Sequence, residues 1–193
     1  MSESNYHLHE PTMPLTIKGG PIHFGPFLVT PQVFHQTLLS IALVNLKPIL
    51  PGHVLISPRR VVPRVADLSP PETADLFLTV RRVGRMIERV YGATSLNIAI
   101  QDGVDAGQSV PHVHAHIIPR RRHDLSSTDE VYEKLDGEEG DLSKSLKEKA
   151  KEHEGRVMER LKVDNEERVA RGSEEMEKEA AMLAKEMAKE PTD

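Results

Sequence analysis

The chain has 193 residues, of which 38% are hydrophobic and 28% charged, and a formal net charge of −5. That suffices for one domain with a core and solvated tails, and the negative balance argues against a general binder of nucleic-acid backbones. With no cysteine there is no disulfide scaffold, and there is neither an apolar leader nor a run of roughly 18 apolar residues. The expectation is a soluble chain in a reducing compartment, cytoplasmic and also nuclear, touching neither membrane nor nucleic acid.

Residues 1–21 mix Pro, Gly, Ser and Thr with few aliphatics and read as a flexible N-terminal tail; His7 and His9 alternate there without hydrophobic context. The core begins near Ile22, where Phe24, Phe27 and Val29 flank the Gly25-Pro26 turn signal. Val33-Phe34 opens a short strand. Leu39 to Asn45 is a strongly apolar strand, and Leu50-Pro51-Gly52-His53 turns the chain into a second strand, His53 to Ser57, so the two form an antiparallel hairpin.

A long helix follows. Ser69 is placed to cap it, Pro70 sits at the first helical position and Glu72 completes a capping box. Leu76, Val80, Val83, Ile87 and Val90 then recur at helical spacing, and Gly92 is a natural stop. Arg81, Arg82, Arg85 and Arg89 lie off that stripe and read as a solvated face.

Leu96 to Ile100 returns as a strand. After the loop 102–110 comes Pro111-His112-Val113-His114-Ala115-His116-Ile117-Ile118. In an extended strand alternate side chains share a face, so the three imidazoles would form a row along a cleft and Val113, Ala115 and Ile117 would face the core. The loop before them, Gly107-Gln108-Ser109-Val110, is small and polar enough to aim N–H groups at an anion. Three readings of the histidines stand side by side. They are structural; or they ligate a metal, although no cysteine and only Asp102 and Asp105 are at hand to complete the site; or one attacks phosphorus while its neighbours orient it and supply a proton.

Beyond Arg120-Arg121-Arg122 the chain turns polar and acidic, without periodicity, and Tyr132 stands alone there as an aromatic that would suit phosphorylation. This reads as a flexible connection or lid. From about Leu142 to Lys189 the composition favours helix, with Leu146, Ala150, His153, Val157 and Leu161 on one stripe, and Met176, Ala180, Leu183 and Met187 on another beyond Gly172 and Ser173. The organisation expected is a tail over 1–21, a domain over 22–135 and an acidic linker with a helical extension over 136–193. The fold class expected is α+β, an antiparallel sheet of about five strands with a long helix packed on it, plus a C-terminal charged helix.

His112-Val113-His114-Ala115-His116-Ile117-Ile118 fits the His-x-His-x-His-x-x pattern of the histidine triad superfamily of nucleotide hydrolases and transferases. The segments Ser40–Arg60, Asp67–Phe77 and Ser95–Arg121 resemble its fragile-histidine-triad branch, the dinucleoside triphosphate hydrolases, with the likeness spanning about residues 22–135. A histidine at 116, where the related uridylyltransferases carry glutamine, favours a hydrolase, and Pro119-Arg120-Arg121 departs from the Gly-Gly of the phosphoramidate-hydrolysing branch.

The resemblance implies an enzyme that cleaves dinucleoside polyphosphates, diadenosine triphosphate to AMP and ADP, through a nucleotidyl intermediate on His114. It implies that His116 contacts the phosphate or leaving oxygen, that His112 positions the nucleophile through backbone and imidazole contacts, and that His53 stands behind it. Asn45 would contact the ribose and Gln101 the polyphosphate. Phe24, Phe27, Leu43 and Leu55 would wall the adenine, and Gly107, Gln108, Ser109 and Val110 would cradle the anion. It implies a homodimer with no cofactor or metal bound by the protein, a divalent Mg or Mn ion at most riding on the substrate phosphates. The alternatives are a nucleoside phosphoramidate hydrolase and a signalling module whose output is the nucleotide-bound state.

Overall fold

The computed structural model describes residues 20–138 and 170–191. The expected tail before residue 20, the linker and the stripe Leu146–Leu161 lie outside the described residues.

A small hairpin of β1 (His23–Phe24) and β2 (Phe27–Leu28) precedes a five-stranded sheet. The sheet is built from β3 (Val33–Gln36), β4 (Ser40–Val44), β5 (Val54–Pro58), β6 (Ser95–Ile100) and β7 (Ala115–Arg120). Its order is β3-β4-β5-β7-β6 and every neighbour is antiparallel. The long helix is α1 (Pro70–Tyr91), followed by α2 (Glu130–Glu138) and α3 (Ser173–Met187). The α+β architecture with one long helix and a C-terminal helix is therefore present, and none of these helices is long and apolar enough to cross a membrane.

The central strands β4 and β5 are buried along their whole length, which explains why they read as continuous apolar runs rather than alternating ones. Residues paired across an antiparallel sheet share a face. One cross-strand row therefore runs Leu43–Leu55–His116–Ala99, and the row beside it, Ala42–Ile56–Ala115–Ile100, points to the other face.

Helix α1 packs on that other face. Ser69 Oγ and the Glu72 carboxylate form the predicted capping box, and Gly92 ends the helix at φ +60°. Such a cap is worth about 1 kcal/mol. Leu76, Val80, Val83 and Ile87 are buried as their spacing requires, each contributing about 1.5–3 kcal/mol. Gly84 lies under Leu96, where a Cβ would come within 2.9 Å of Leu96 Cδ1.

Two expectations are corrected. The arginine face of α1 is not simply solvated. Arg82 donates to Glu190 O at 3.1 Å, and Arg89 pairs with Glu186 and Glu190 at 2.6 and 2.7 Å. It receives α3, whose Met176, Ala180, Leu183 and Met187 are buried in the main core. The acidic stretch after Arg122 is not wholly irregular either. It folds into α2, which buries Val131 and Leu135 on Ile118 beside Ile49 and Leu50. Two apolar positions one turn apart make too short a period to stand out from a charged background. Ser127 with Glu130, whose N–H donates to Ser127 Oγ at 3.2 Å, was the local sign of this helix.

Candidate active site

The three histidines do not form a row along an open cleft. His112, His114 and His116 are 0%, 2% and 0% exposed, and the strand itself begins at Ala115, leaving His112 and His114 on the segment leading into it. Their approach is fixed by backbone bonds on both sides of Val113, whose N–H donates to Val62 O at 2.8 Å and whose O accepts from Ser57 Oγ at 2.7 Å.

An imidazole with a neutral ring holds one proton, and the groups facing each nitrogen decide where it sits. His114 Nδ1 lies 2.7 Å from His112 O, a carbonyl that can only accept. The proton is on Nδ1, and Nε2 carries the lone pair. Burial pushes the His114 pKa down to about 4 against the smaller raising effect of that carbonyl, so the ring is neutral at neutral pH and its Nε2 lone pair is unprotonated.

The same reasoning fixes the ring behind it. Ile49 N–H donates to His53 Nδ1 at 3.1 Å, so His53 Nδ1 accepts and Nε2 bears the proton. That proton is donated to His116 Nδ1 at 3.0 Å, which leaves the His116 proton on Nε2. Asn45 Nδ2 is 3.2 Å from His53 Nε2, but two donors cannot bond each other; the Ile49 amide, which has only one direction, settles the tautomer. Asn45 Oδ1 accepts from Lys47 N at 3.0 Å. The rings of His114 and His116 meet edge to face with centroids 4.9 Å apart.

His112 is used differently from the expectation. Its backbone O holds the His114 ring, but its own Nδ1 accepts from Gly25 N at 3.0 Å and its Nε2 donates to Pro58 O at 2.9 Å. The ring thus ties the β1–β2 turn to β5 rather than touching His114. It stacks on Phe24, with centroids 5.4 Å apart, and Phe24 in turn meets His114 edge to face with centroids 5.0 Å apart.

Beside the histidines lies a small apolar pocket lined by Phe24, Phe27, Leu43, Asn45, Leu46 and Leu55 among others. The structure therefore brings the expected apolar wall together with Asn45. The row Leu43–Leu55–His116 joins the pocket to the triad. Gln101 is one residue past the Ile100–Ala115 pair, level with His114. It is buried, with Nε2 donating to Leu135 O at 3.4 Å and Oε1 without a partner among the described residues.

The loop 107–110 matches its expectation only in part. Gly107 sits at φ +85° in a tight turn that consumes the N–H groups of Gly107 and Gln108 on Val104 O and Gly103 O, at 3.0 and 3.1 Å. The Gln108 side chain is likewise held, on Pro63 O at 2.8 Å. Among the described residues the N–H groups of Ser109 and Val110 meet no protein acceptor. Of this loop's backbone N–H groups, those of Ser109 and Val110 are thus left open to an anion, and those of Gly107 and Gln108 are not.

Among the described residues no cluster of three or more His, Asp or Glu side chains is disposed to hold a metal. Both ring nitrogens of His53 and of His112 are engaged in hydrogen bonds, as is Nδ1 of His114. Reading residues alone missed Ile49, whose amide sets the relay, and Gly25, Pro58 and Ser57, which hold the triad backbone. Of these only Gly25 carried a signal, as part of the Gly25-Pro26 turn, and that signal did not point to His112.

The HIT domain profile matches residues 29–123. The chain is 50% identical over 167 residues to the asymmetrical bis(5'-nucleosyl)-tetraphosphatase of Schizosaccharomyces pombe, covering 84% of this chain and 92% of that protein. It is 52% identical over 124 residues to the bifunctional bis(5'-adenosyl)-triphosphatase/adenylylsulfatase FHIT of Arabidopsis thaliana, covering 64% and 69%. The crystal structure of Plasmodium falciparum diadenosine triphosphate hydrolase in complex with cyclomarin A is similar at 35% identity and a TM-score of 0.55, over 69% of this chain and 88% of that one.

Proposed function

The chain belongs to the histidine triad (HIT) family, and from that membership and the proton positions in its site we propose that it hydrolyses dinucleoside polyphosphates, with diadenosine triphosphate as the preferred substrate. His114 Nε2 attacks the α-phosphorus. A P–N bond forms, the P–O bond to the leaving nucleotide breaks, and His116 Nε2–H hydrogen-bonds the departing oxygen. Water then displaces the imidazole, losing a proton to solvent, and AMP leaves beside ADP. Ser109 and Val110 N–H groups face the oxygens of the five-coordinate state, where charge has built up. Asn45 takes the ribose, Gln101 the polyphosphate, and Phe24, Phe27, Leu43 and Leu55 the adenine.

The observation that carries this reading is the pair of opposite tautomers. His114 is held by His112 O with its lone pair on Nε2, and His116 is held by His53 with its proton on Nε2. One base and one donor meet at rings 4.9 Å apart, which a nucleophilic two-step transfer requires. The names of the relatives cited above support the substrate class. They divide between triphosphate and tetraphosphate, so chain length is the open variable.

The test is turnover of diadenosine triphosphate and tetraphosphate in ¹⁸O water, with and without a chelator. Label in AMP, loss of turnover in His114→Ala and indifference of the protein itself to chelation support the reading. Activity surviving His114→Ala removes the nucleophile assignment. AMP release from an adenosine phosphoramidate without dinucleotide cleavage moves the chain to the neighbouring reaction. Any Mg or Mn requirement then tracks the substrate phosphates.

The homodimer belongs to the same reading. Strand β6 is an edge of the sheet and leaves Ile98 49% exposed beside α1, where Phe77 is 47% exposed. An open edge with apolar neighbours is a natural pairing surface. Sedimentation of the wild type at two chains, and of Ile98→Lys at one, supports it. A cytoplasmic and nuclear location is tested by imaging a tagged chain.

A further inference from the structure

The connection between β4 and β5, residues 45–53, carries both Asn45 and His53; the C-terminal segment grips its first end directly, and its other end rests on Tyr91 of α1, which the C-terminal segment holds in turn. At the first end, Arg171 N donates to Leu46 O at 3.0 Å, and Arg171 Nε donates to Asn45 O at 3.1 Å beside a second bond from Nη2. Asn45 and Leu46 line the nucleoside pocket. At the other end, Gly52 sits at φ +87° against the ring of Tyr91, where a Cβ would come within 2.6 Å of Tyr91 Cδ2. Glu179 of α3 joins the two. One carboxylate oxygen accepts from Arg171 Nη1 and the other from Tyr91 OH at 2.7 Å. Arg171 and Glu179 side chains are only 13% and 14% exposed, so this is not a surface ion pair. Burial and the Glu179 carboxylate hold the Tyr91 pKa well above the usual phenol range, which keeps its proton in place as the donor.

We infer that Arg171 is a positioning residue of the nucleotide site: with Glu179 and Tyr91 it fixes the 45–53 connection, and through it the Asn45 amide and the Ile49 amide that sets the His53 tautomer. This rests on the dinucleotide-hydrolase reading for its substrate. The physical reason is that a β4–β5 connection of this length has a backbone that must be locked for its side chains to be preorganised. A bidentate guanidinium on one carbonyl, anchored in turn by a carboxylate, gives direction as well as attraction. The helix that carries the anchor is distant in sequence from the connection it holds.

The experiment compares kcat and KM of the full chain and of Arg171→Ala on diadenosine triphosphate and on its 2′-deoxy and 3′-deoxy analogues, with Asn45→Ala as the reference. The expected result is a fall of about 10-fold in kcat/KM, loss of the preference for the ribose form as in Asn45→Ala, and no further loss in the double variant. Arg171→Lys, which keeps the charge and a donor, restores part of the preference. A lower melting temperature with an unchanged ribose preference, or additive losses in the double variant, overturns the inference. Should Arg171→Ala not fold, Glu179→Gln is read against the same criteria. ¹⁵N spectra of the His53 ring give a readout free of turnover: Nδ1 stays the acceptor in the wild type and the two tautomers mix in Arg171→Ala, whereas an unchanged ring in the variant overturns the clamp. A wild type that does not cleave the dinucleotide refutes the substrate reading alone, and the His53 spectra still decide the clamp.

Discussion

His53 and His116 share a hydrogen bond of 3.0 Å between Nε2 and Nδ1, and a main-chain amide decides which ring gives the proton. Because Ile49 N–H occupies His53 Nδ1, the donor is His53, and the proton of His116 is set on its far nitrogen. His53→Ala removes that control without touching the His114 ring. The expected outcome is a loss of about 100-fold in kcat with little change in KM, measured by steady-state kinetics on a variant whose circular dichroism matches the wild type.

The acid limb of the rate profile follows from His114. Its pKa lies at about 4, lowered by burial, and the protonated ring cannot attack. In kcat/KM against pH, the activity attributed to this group therefore stays level from neutral pH down through the range where an exposed imidazole would titrate, and falls only as pH approaches about 4. An acid limb centred near the usual imidazole value of about 6.5 contradicts the assignment.

The same shift is a statement about stability. The unfolded chain binds the proton on this ring below about 6.5, and the folded one only below about 4. Stability contributed by neutral His114 is complete above the unfolded value and is lost as pH falls from there towards the folded value. The loss is on the order of 3 kcal/mol. Urea unfolding between pH 7 and pH 4.5 should show His114→Asn losing less stability than the wild type over this window.

Gly25 has φ +53°, and a Cβ there would come within 2.6 Å of Val110 Cγ1. Its N–H also donates to His112 Nδ1. Gly25→Ala is expected to cost about 1–3 kcal/mol through backbone strain and overpacking, read as a lowered melting temperature. Because the hairpin carries Phe24 and Phe27, KM for the nucleotide should rise as well.

Helix α3 is held by burial more than by its ion pairs. Leu183 is fully buried, so Leu183→Ala is expected to cost about 2–5 kcal/mol. Arg89 is 45% exposed and its pairs with Glu186 and Glu190 are screened by water. Arg89→Ala should shift the unfolding midpoint far less than Leu183→Ala in paired denaturation curves. A larger effect at Arg89 would show that charge, not packing, seats the helix.

The sequence by itself determined whatever depends on neighbours along the chain. Ser69, Pro70, Glu72 and Gly92 mark the bounds of α1 because capping is a contact between residues a few positions apart. The apolar runs of β4 and β5, and the stripe Met176–Met187, were equally legible, since a buried strand and an amphipathic helix write their burial into their spacing. The His-x-His-x-His spacing pointed to the site.

Only the tertiary structure decided what each imidazole does. Whether a ring is a base or a donor depends on which atom faces which nitrogen, and those atoms come from Ile49, Pro58, Gly25 and His112 O, whose roles leave no mark on composition or period. It also decided that Gln108 N–H is consumed within its own turn, and that an arginine at 171 holds the carbonyl of residue 45. Hydrogen-bond direction and long-range contact are properties of the folded arrangement, which a linear pattern of residue types does not encode.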